Sequence, residues 1–235
     1  HGKQWRKWDK NDCSYPKCTC EDDEIIYCQN KHESIDQIEN LINDLKRNPD
    51  SRSLMVNAWN VSDLDKVILP PFHYSFQVYT KELTLEERYT ISRTQSKKYN
   101  CEDYYSTTID ENDNLEFTYK HTREEHYNIH GIPKRKISLM FNMRSNDVLL
   151  GLPFNVASYA LLLEIIARMV NMVPDELIVN LGESYIDINQ IEDIKKEINT
   201  ETYPLSKINI KNDVNFDGSI DDMLNSCDVD SFTIN

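Results

Sequence analysis

F-N-M-R-S-N-D-V-L-L-G-L-P-F-N-V-A-S-Y-A, from Phe141 to Ala160, carries a strand-like run into a turn and out again as a long apolar helix. Among residues with every reason to be buried it sets an arginine, a serine, two amides and a carboxylate: Arg144, Ser145, Asn146, Asp147 and Asn155. A buried polar group costs on the order of a few kcal/mol unless it is partnered. The cluster is therefore either a self-satisfied network that pins the turn or the floor of a pocket for anions and amides.

Five other segments bear on that choice: H-G-K-Q-W-R at His1 to Arg6, N-P-D-S-R at Asn48 to Arg52, A-W-N at Ala58 to Asn60, L-P-P-F-H at Leu69 to His73 and L-G-E-S-Y-I at Leu181 to Ile186. In this order, and with R-S-N-D-V-L-L-G-L-P-F-N-V-A-S-Y-A between the last two, they resemble the thymidylate synthase family. The resemblance implies an α+β fold, a mixed β-sheet packed with helices around a long central buried helix. It implies one domain over residues 1–235, with insertions at about 9–32 and 89–131.

The 235 residues include 26 Lys and Arg against 40 Asp and Glu, a formal charge of −14. That balance disfavours nonspecific attraction to nucleic acid or to anionic membranes, and neither is expected as a partner. The long apolar stretch Val148 to Val173 is broken by Gly151, Pro153, Asn155, Glu164, Arg168 and Asn171, so it lacks the roughly 18 uninterrupted apolar residues of a membrane span. No basic and apolar leader opens the sequence, and a cytoplasmic site is expected, in the virion or host cytoplasm if the chain is viral. Cys13, Cys18, Cys20 and Cys28 fall close together, but without the paired C-x2-C knuckles of a zinc clip. Free thiols in a surface insertion are the expectation there, and no metal.

Periodicity places an amphipathic helix on Ile35, Ile38, Leu41, Ile42 and Leu45, with Ser34 as its cap and Asn48-Pro49-Asp50 as its stop. Strands are expected at Ser53 to Trp59, His73 to Lys81, Lys136 to Phe141 and Glu176 to Ile188, and a short one at Leu205 to Ile210. Helices are expected at Leu83 to Arg88, Pro153 to Met172 and Ile191 to Ile198, the second with proline in its first turn, where a missing N–H costs nothing. Tyr89 to Gly131 is polar, and too poor in aliphatic side chains to fold alone; it reads as an expanded, loosely packed loop. His1 to Trp8 starts without a preceding element against which Trp5 and Trp8 could pack. Asn215 to Gly218 lacks the D-x-D-x-D-G core of a calcium loop.

Set against the family's chemistry, the chain keeps some groups and lacks others. The residue after the two prolines is, in the family, the cysteine whose thiolate attacks the pyrimidine. Here it is Phe72, which has no nucleophilic atom and closes the covalent route. The glutamine before the R-S pair is replaced by Met143, and the second arginine after N-P-D-S by Ser53, leaving Arg52 alone. A histidine and tyrosine that hold the sugar hydroxyl correspond to Tyr185 and Asp187, the latter a negative charge where a phosphate-bearing ligand would lie. Arg144 and Ser145 match the phosphate-holding pair and Asn155 the amide that reads the uracil edge. Asp147 and Trp59 match folate-facing positions.

The resemblance thus implies a vestigial nucleotide site at Arg52, Arg144, Ser145, Asn155 and Tyr185, a vestigial folate site at Asp147 and Trp59, and no catalytic residue. The family would use methylenetetrahydrofolate; no cofactor is expected here. The expected function is that of a catalytically inactive, structural or interaction component of an assembly, as a homodimer or in a hetero-complex with a family-fold or assembly partner. The alternatives are an active thymidylate synthase or pyrimidine-nucleotide (hydroxy)methyltransferase completed by a partner chain, and a noncatalytic dUMP or dCMP binder. The family's N-terminal helix and strand and its C-terminal lid have no counterpart in the sequence, so a fragment, a split gene product or completion by another chain is expected.

Overall fold

A computed structural model describes residues 2–9, 34–94, 105–109, 115–119, 122–201, 204, 208–211 and 214–234. The Cys13 to Cys28 loop and Cys101 lie outside the described residues. In chain order the elements are α1 (Gly2–Arg6), β1 (Trp8–Asp9), β2 (Ser34–Ile35), α2 (Gln37–Arg47), β3 (Met55–Asn57), β4 (His73–Glu82), α3 (Leu85–Thr94), β5 (Tyr105–Ile109) and β6 (Leu115–Tyr119). There follow α4 (Arg123–Ile129), β7 (Arg135–Asp147), α5 (Gly151–Met169), β8 (Val173–Tyr185), α6 (Ile191–Glu197), β9 (Ile208–Ile210), α7 (Ile220–Ser226) and β10 (Phe232–Ile234). Four strands make the main sheet, in the order β3-β4-β7-β8, and the expected α+β class is observed.

The sheet is mixed. β3 pairs antiparallel with β4, setting Val56 opposite Phe76. Between β4 and β7 the partners run in opposite senses: Leu83 donates to the Lys134 carbonyl at 2.9 Å and Arg144 N to the Phe72 carbonyl at 2.8 Å. Between β7 and β8 they run together. Glu176 N donates to Ser138 Oγ at 3.3 Å and Asn180 to Asn142 at 2.8 Å, the same offset in both cases. Parallel neighbours need a long crossover, and α5 supplies it.

The residues fall into two compact units. The first comprises His1–Gln77, Met140–Phe154 and Val179–Tyr203. In it α2 turns Ile38, Leu41, Ile42 and Leu45 inward, as the spacing predicts. Its cap is Asp36 rather than Ser34: the Asp36 carboxylate accepts from Ile38 N and Glu39 N, and also from Arg6. An aspartate two residues further on competes better for the cap because it also gains this ion pair. Trp5, which has no preceding element to pack against, meets the buried Phe76 edge-on with ring centroids 5.3 Å apart, and His73 at 6.3 Å. On β4, β7 and β8 a row of side chains is joined: Asn180 donates to Asn142, and Asn142 to Ser75 at 3.1 Å.

The second unit comprises Val78–Leu139, Asn155–Ile178 and Pro204–Asn235. Its polar tract is more regular than composition suggests: α3, the β5–β6 hairpin and the capping-box helix α4 occupy much of it. The organising contact is Arg88, only 3% exposed, which donates to the carbonyls of Pro133 (3.1 Å) and Ile132 (3.0 Å) and to Asn128 (2.9 Å), and lies over the Tyr127 ring. Sequence reading overlooked this because an isolated arginine looks like a solvated one. The segment from Val214 to Ile234 also forms α7 and β10, where only acidic, mostly polar chain was expected; Ile220 and Met223 anchor it by burial.

α5 begins at Gly151, two residues before the expected start, and ends where Asn171 adopts a left-handed φ of 51° and bonds the Gly131 carbonyl. Among the described residues it is one helix long and apolar enough, by length and composition, to cross a membrane. Tyr159, Leu163, Ile166, Ala167 and Met169 are buried, and Arg168 pairs with Glu164, as in a core helix. Its first turns are the exposed part, with Phe154 at 73%. Replacing Arg88 by Ala strips two buried carbonyls of their donor and is expected to cost about 2–4 kcal/mol, read as a lowered urea midpoint; Arg88→Lys recovers only part of it.

Candidate functional site

The site residues of the first unit are laid out by β7 and by the two loops at its end. After the 3-10 turn at Val61–Asp63, capped by Asn60, the chain reaches Pro70-Pro71-Phe72 and enters β4. Two consecutive prolines cannot donate, so their carbonyls are open to a side-chain donor. Arg144 is that donor: its Nε bonds the Pro71 carbonyl at 2.9 Å and its Nη2 the Pro70 carbonyl at 2.8 Å. The same guanidinium lies 5.2 Å from the centroid of the Phe72 ring. The arginine that the sequence assigns to a phosphate thus gives two of its five N–H donors to the loop that carries Phe72. Phe72 itself is 38% exposed, its ring stacked on that cation.

Behind Arg144 the sheet is unusually tight. A Cβ placed on Gly182 of β8 would stand 2.5 Å from the Arg144 carbonyl oxygen, which no real Cβ contact reaches. Gly182 lets β8 approach where Arg144 is held, and the L-G-E-S-Y-I motif carries it for that reason.

Asp147 is committed in the same way. Its Oδ1 accepts from Leu149 N at 3.0 Å and Leu150 N at 3.1 Å, and the Gly151 amide and the Gln190 side chain also donate to the carboxylate. The Leu150 amide is the largest cause that holds its pKa below the ordinary carboxylate value; burial opposes it, and Gln190 and the Leu149 and Gly151 amides add smaller downward effects. Asp147 thus brackets the start of α5. Trp59 is half-buried.

The remaining assigned residues are Arg52, Ser145, Asn155 and Tyr185. Arg52 is exposed beside Ser53, while a cavity of about 490 Å³ nearby is lined by Asp44, Arg47, Asn48, Ser51 and Ser53 and not by Arg52. Ser145 is half-buried. Tyr185 is 41% exposed and its carbonyl accepts from Val148 N at 3.1 Å; Asp187 is exposed. Met143 is 3% exposed, so the position of the family's glutamine belongs to the core. Asn155 sits half-buried in α5, in the second unit. Burial pushes the pKa of His73, next to Phe72, downward.

Asn146 received no role from the sequence. It is 2% exposed, and neither its amide nitrogen nor its oxygen has a hydrogen-bond partner; Gln190 Oε1 is a second such atom. The polar run R-S-N-D signals a buried amide, but not that its partners are lacking. Among the described residues no group of three or more His, Cys, Asp or Glu side chains is placed to hold a metal.

The family model described as thymidylate synthase matches residues 1–104 and 114–235. The chain belongs to the thymidylate synthase family. The short stretch outside the match falls in the β5–β6 hairpin region, within the tract read as an expansion. Family membership makes the altered positions departures from a shared plan. The Phe72–Arg144 stack is the departure with the clearest geometry in this thymidylate synthase-family chain.

Two outcomes follow from this geometry. Gly182→Ala is expected to destabilise by about 1–3 kcal/mol, since backbone and not a flexible side chain must yield, as measured by chemical unfolding. Because the Asp147 pKa is lowered in the folded state, the unfolded chain binds more protons as pH falls, so its contribution is present above the ordinary carboxylate pKa and is lost as pH drops through the lowered value. Melting curves between neutral and acid pH are expected to show a shallower acid decline for Asp147→Asn than for the parent.

Proposed function

We propose that this thymidylate synthase-family protein is catalytically inactive and serves as a structural or interaction component of an assembly. The observation that carries the reading is the stacking of Phe72 on an Arg144 already bonded to two proline carbonyls. A nucleophile is absent where the family has one, and the phosphate-matching cation gives two of its donors to the loop that lacks it. The use of Asp147 Oδ1 by the Leu149 and Leu150 amides supports the same reading, with no folate cofactor used. Placing the group within a fold is not enough for function, which belongs to the site.

The protein is further proposed to act as a homodimer or in a hetero-complex, in the cytoplasm. Support comes from the exposed large side chains of the first unit, including Ile68, Leu69, Tyr74 and Leu181. Asn180, exposed on the same unit, supplies a polar group for such a contact.

Tritium release from C5-labelled dUMP with methylenetetrahydrofolate is expected to stay at background for the parent chain and also for Phe72→Cys, because Arg144, Met143 and Asp187 remain as they are. Turnover by the parent, alone or with an added partner chain, would overturn the inactive reading. Nucleotide binding that Arg144→Ala abolishes would replace it with the noncatalytic binder. Sedimentation equilibrium is expected to show association; a monomer at every concentration and in every mixture would remove the assembly role.

A further inference from the structure

α3 and α4 of the second unit enclose a cleft that the reading above does not use. Its volume is about 260 Å³, and Tyr89, Ser92, Arg123, His126 and Tyr127 line it. None of these carries negative charge, in a chain with a net charge of −14. Arg123 is exposed and forms no ion pair among the described residues. His126 is held by a T-shaped contact with His130, ring centroids 4.4 Å apart. Arg93 brings a second guanidinium to the cleft's edge, 5.9 Å from the centre of the Tyr89 ring.

Chemistry and size narrow the occupant. A cationic fork and an imidazole suit an anion with several acceptor oxygens, and arginine meets phosphate by paired, charge-assisted bonds; the Ser92 hydroxyl already donates to the Tyr89 carbonyl at 2.7 Å. The lining holds no carboxylate or thiolate, so a divalent metal is a poor match. The cleft is larger than a bare phosphate requires, and it borders on the lower end of small-molecule sites. Tyr89, 46% exposed, has Arg93 over one face of its ring and offers the other face for the remainder. Tyr127 is already covered by Arg88 and acts as wall.

We propose that this cleft binds a small phosphate monoester carrying a planar ring, with Arg123 on the phosphate and Tyr89 against the ring. The proposal stands apart from the Arg144 region: the two involve different residues, and a nucleotide bound here would be indifferent to Arg144→Ala.

The test is calorimetric titration of the full chain with phenyl phosphate, inorganic phosphate and benzyl alcohol. Phenyl phosphate is expected to saturate one site, with inorganic phosphate and benzyl alcohol each weaker by about ten-fold or more, since each lacks half of the recognised group. Arg123→Ala is expected to weaken phenyl phosphate by about ten-fold, and Ser92→Glu to abolish binding by placing a carboxylate in the cleft. Arg123 is exposed and Ser92 half-buried, so an unchanged melting temperature checks the fold of each variant, and Arg144→Ala serves as the control with unaltered affinity. No saturable binding at about 20 mM overturns the proposal. So does equal affinity for inorganic phosphate or benzyl alcohol, or affinity unchanged in both cleft variants.

Discussion

One guanidinium fixes the character of the first unit. Arg144 leaves β7, reaches two carbonyls that proline has deprived of any alternative local role, and lies across the ring of the following residue. Each link depends on the others. The prolines supply acceptors, the arginine donates to them, and the aromatic face meets its positive charge. A thiol in place of the ring would offer no such face. The substitution that removes the nucleophile is therefore also the one that gives the arginine a new neighbour.

A parallel economy governs Asp147. A carboxylate at the end of a strand and the start of a helix has backbone amides on offer, and here it takes three of them together with a glutamine. What resembles a ligand contact in the sequence is in the structure the hinge pin between β7 and α5. The parallel run of β7 and β8 depends on that hinge, because the chain must leave the sheet and return to the adjacent position through α5. Gly182 completes the arrangement by letting the returning strand lie close.

Much of this was legible beforehand. The ordered motifs announced the family, and the periodicity of α2, the alternation along β4 and the apolar length of α5 announced the elements that carry them. The substitution at Phe72 was plain as well. Side-chain destinations were not. R-S-N-D reads identically whether its arginine faces a ligand or a pair of carbonyls, and nothing in L-P-P-F-H says which way the ring turns. Arg88 escaped because its partners are backbone carbonyls some 44 and 45 residues away, which have no side-chain signature. The tract from Tyr89 onward misled for a related reason: strand pairing and capping, not aliphatic content, give it order. Asp36 displaced Ser34 as a cap through an ion pair with Arg6 that local sequence cannot disclose.

The row of polar side chains on the first unit has a direction. Asn180 gives a proton to Asn142, and Asn142 gives one to Ser75. Bonds aligned in one sense polarise one another, so the row has a head and a tail of unlike chemistry. Its tail, the Ser75 hydroxyl, is buried, while its head, Asn180, is exposed. Two amides and a hydroxyl thus lead from solvent into the sheet as a single polarised wire.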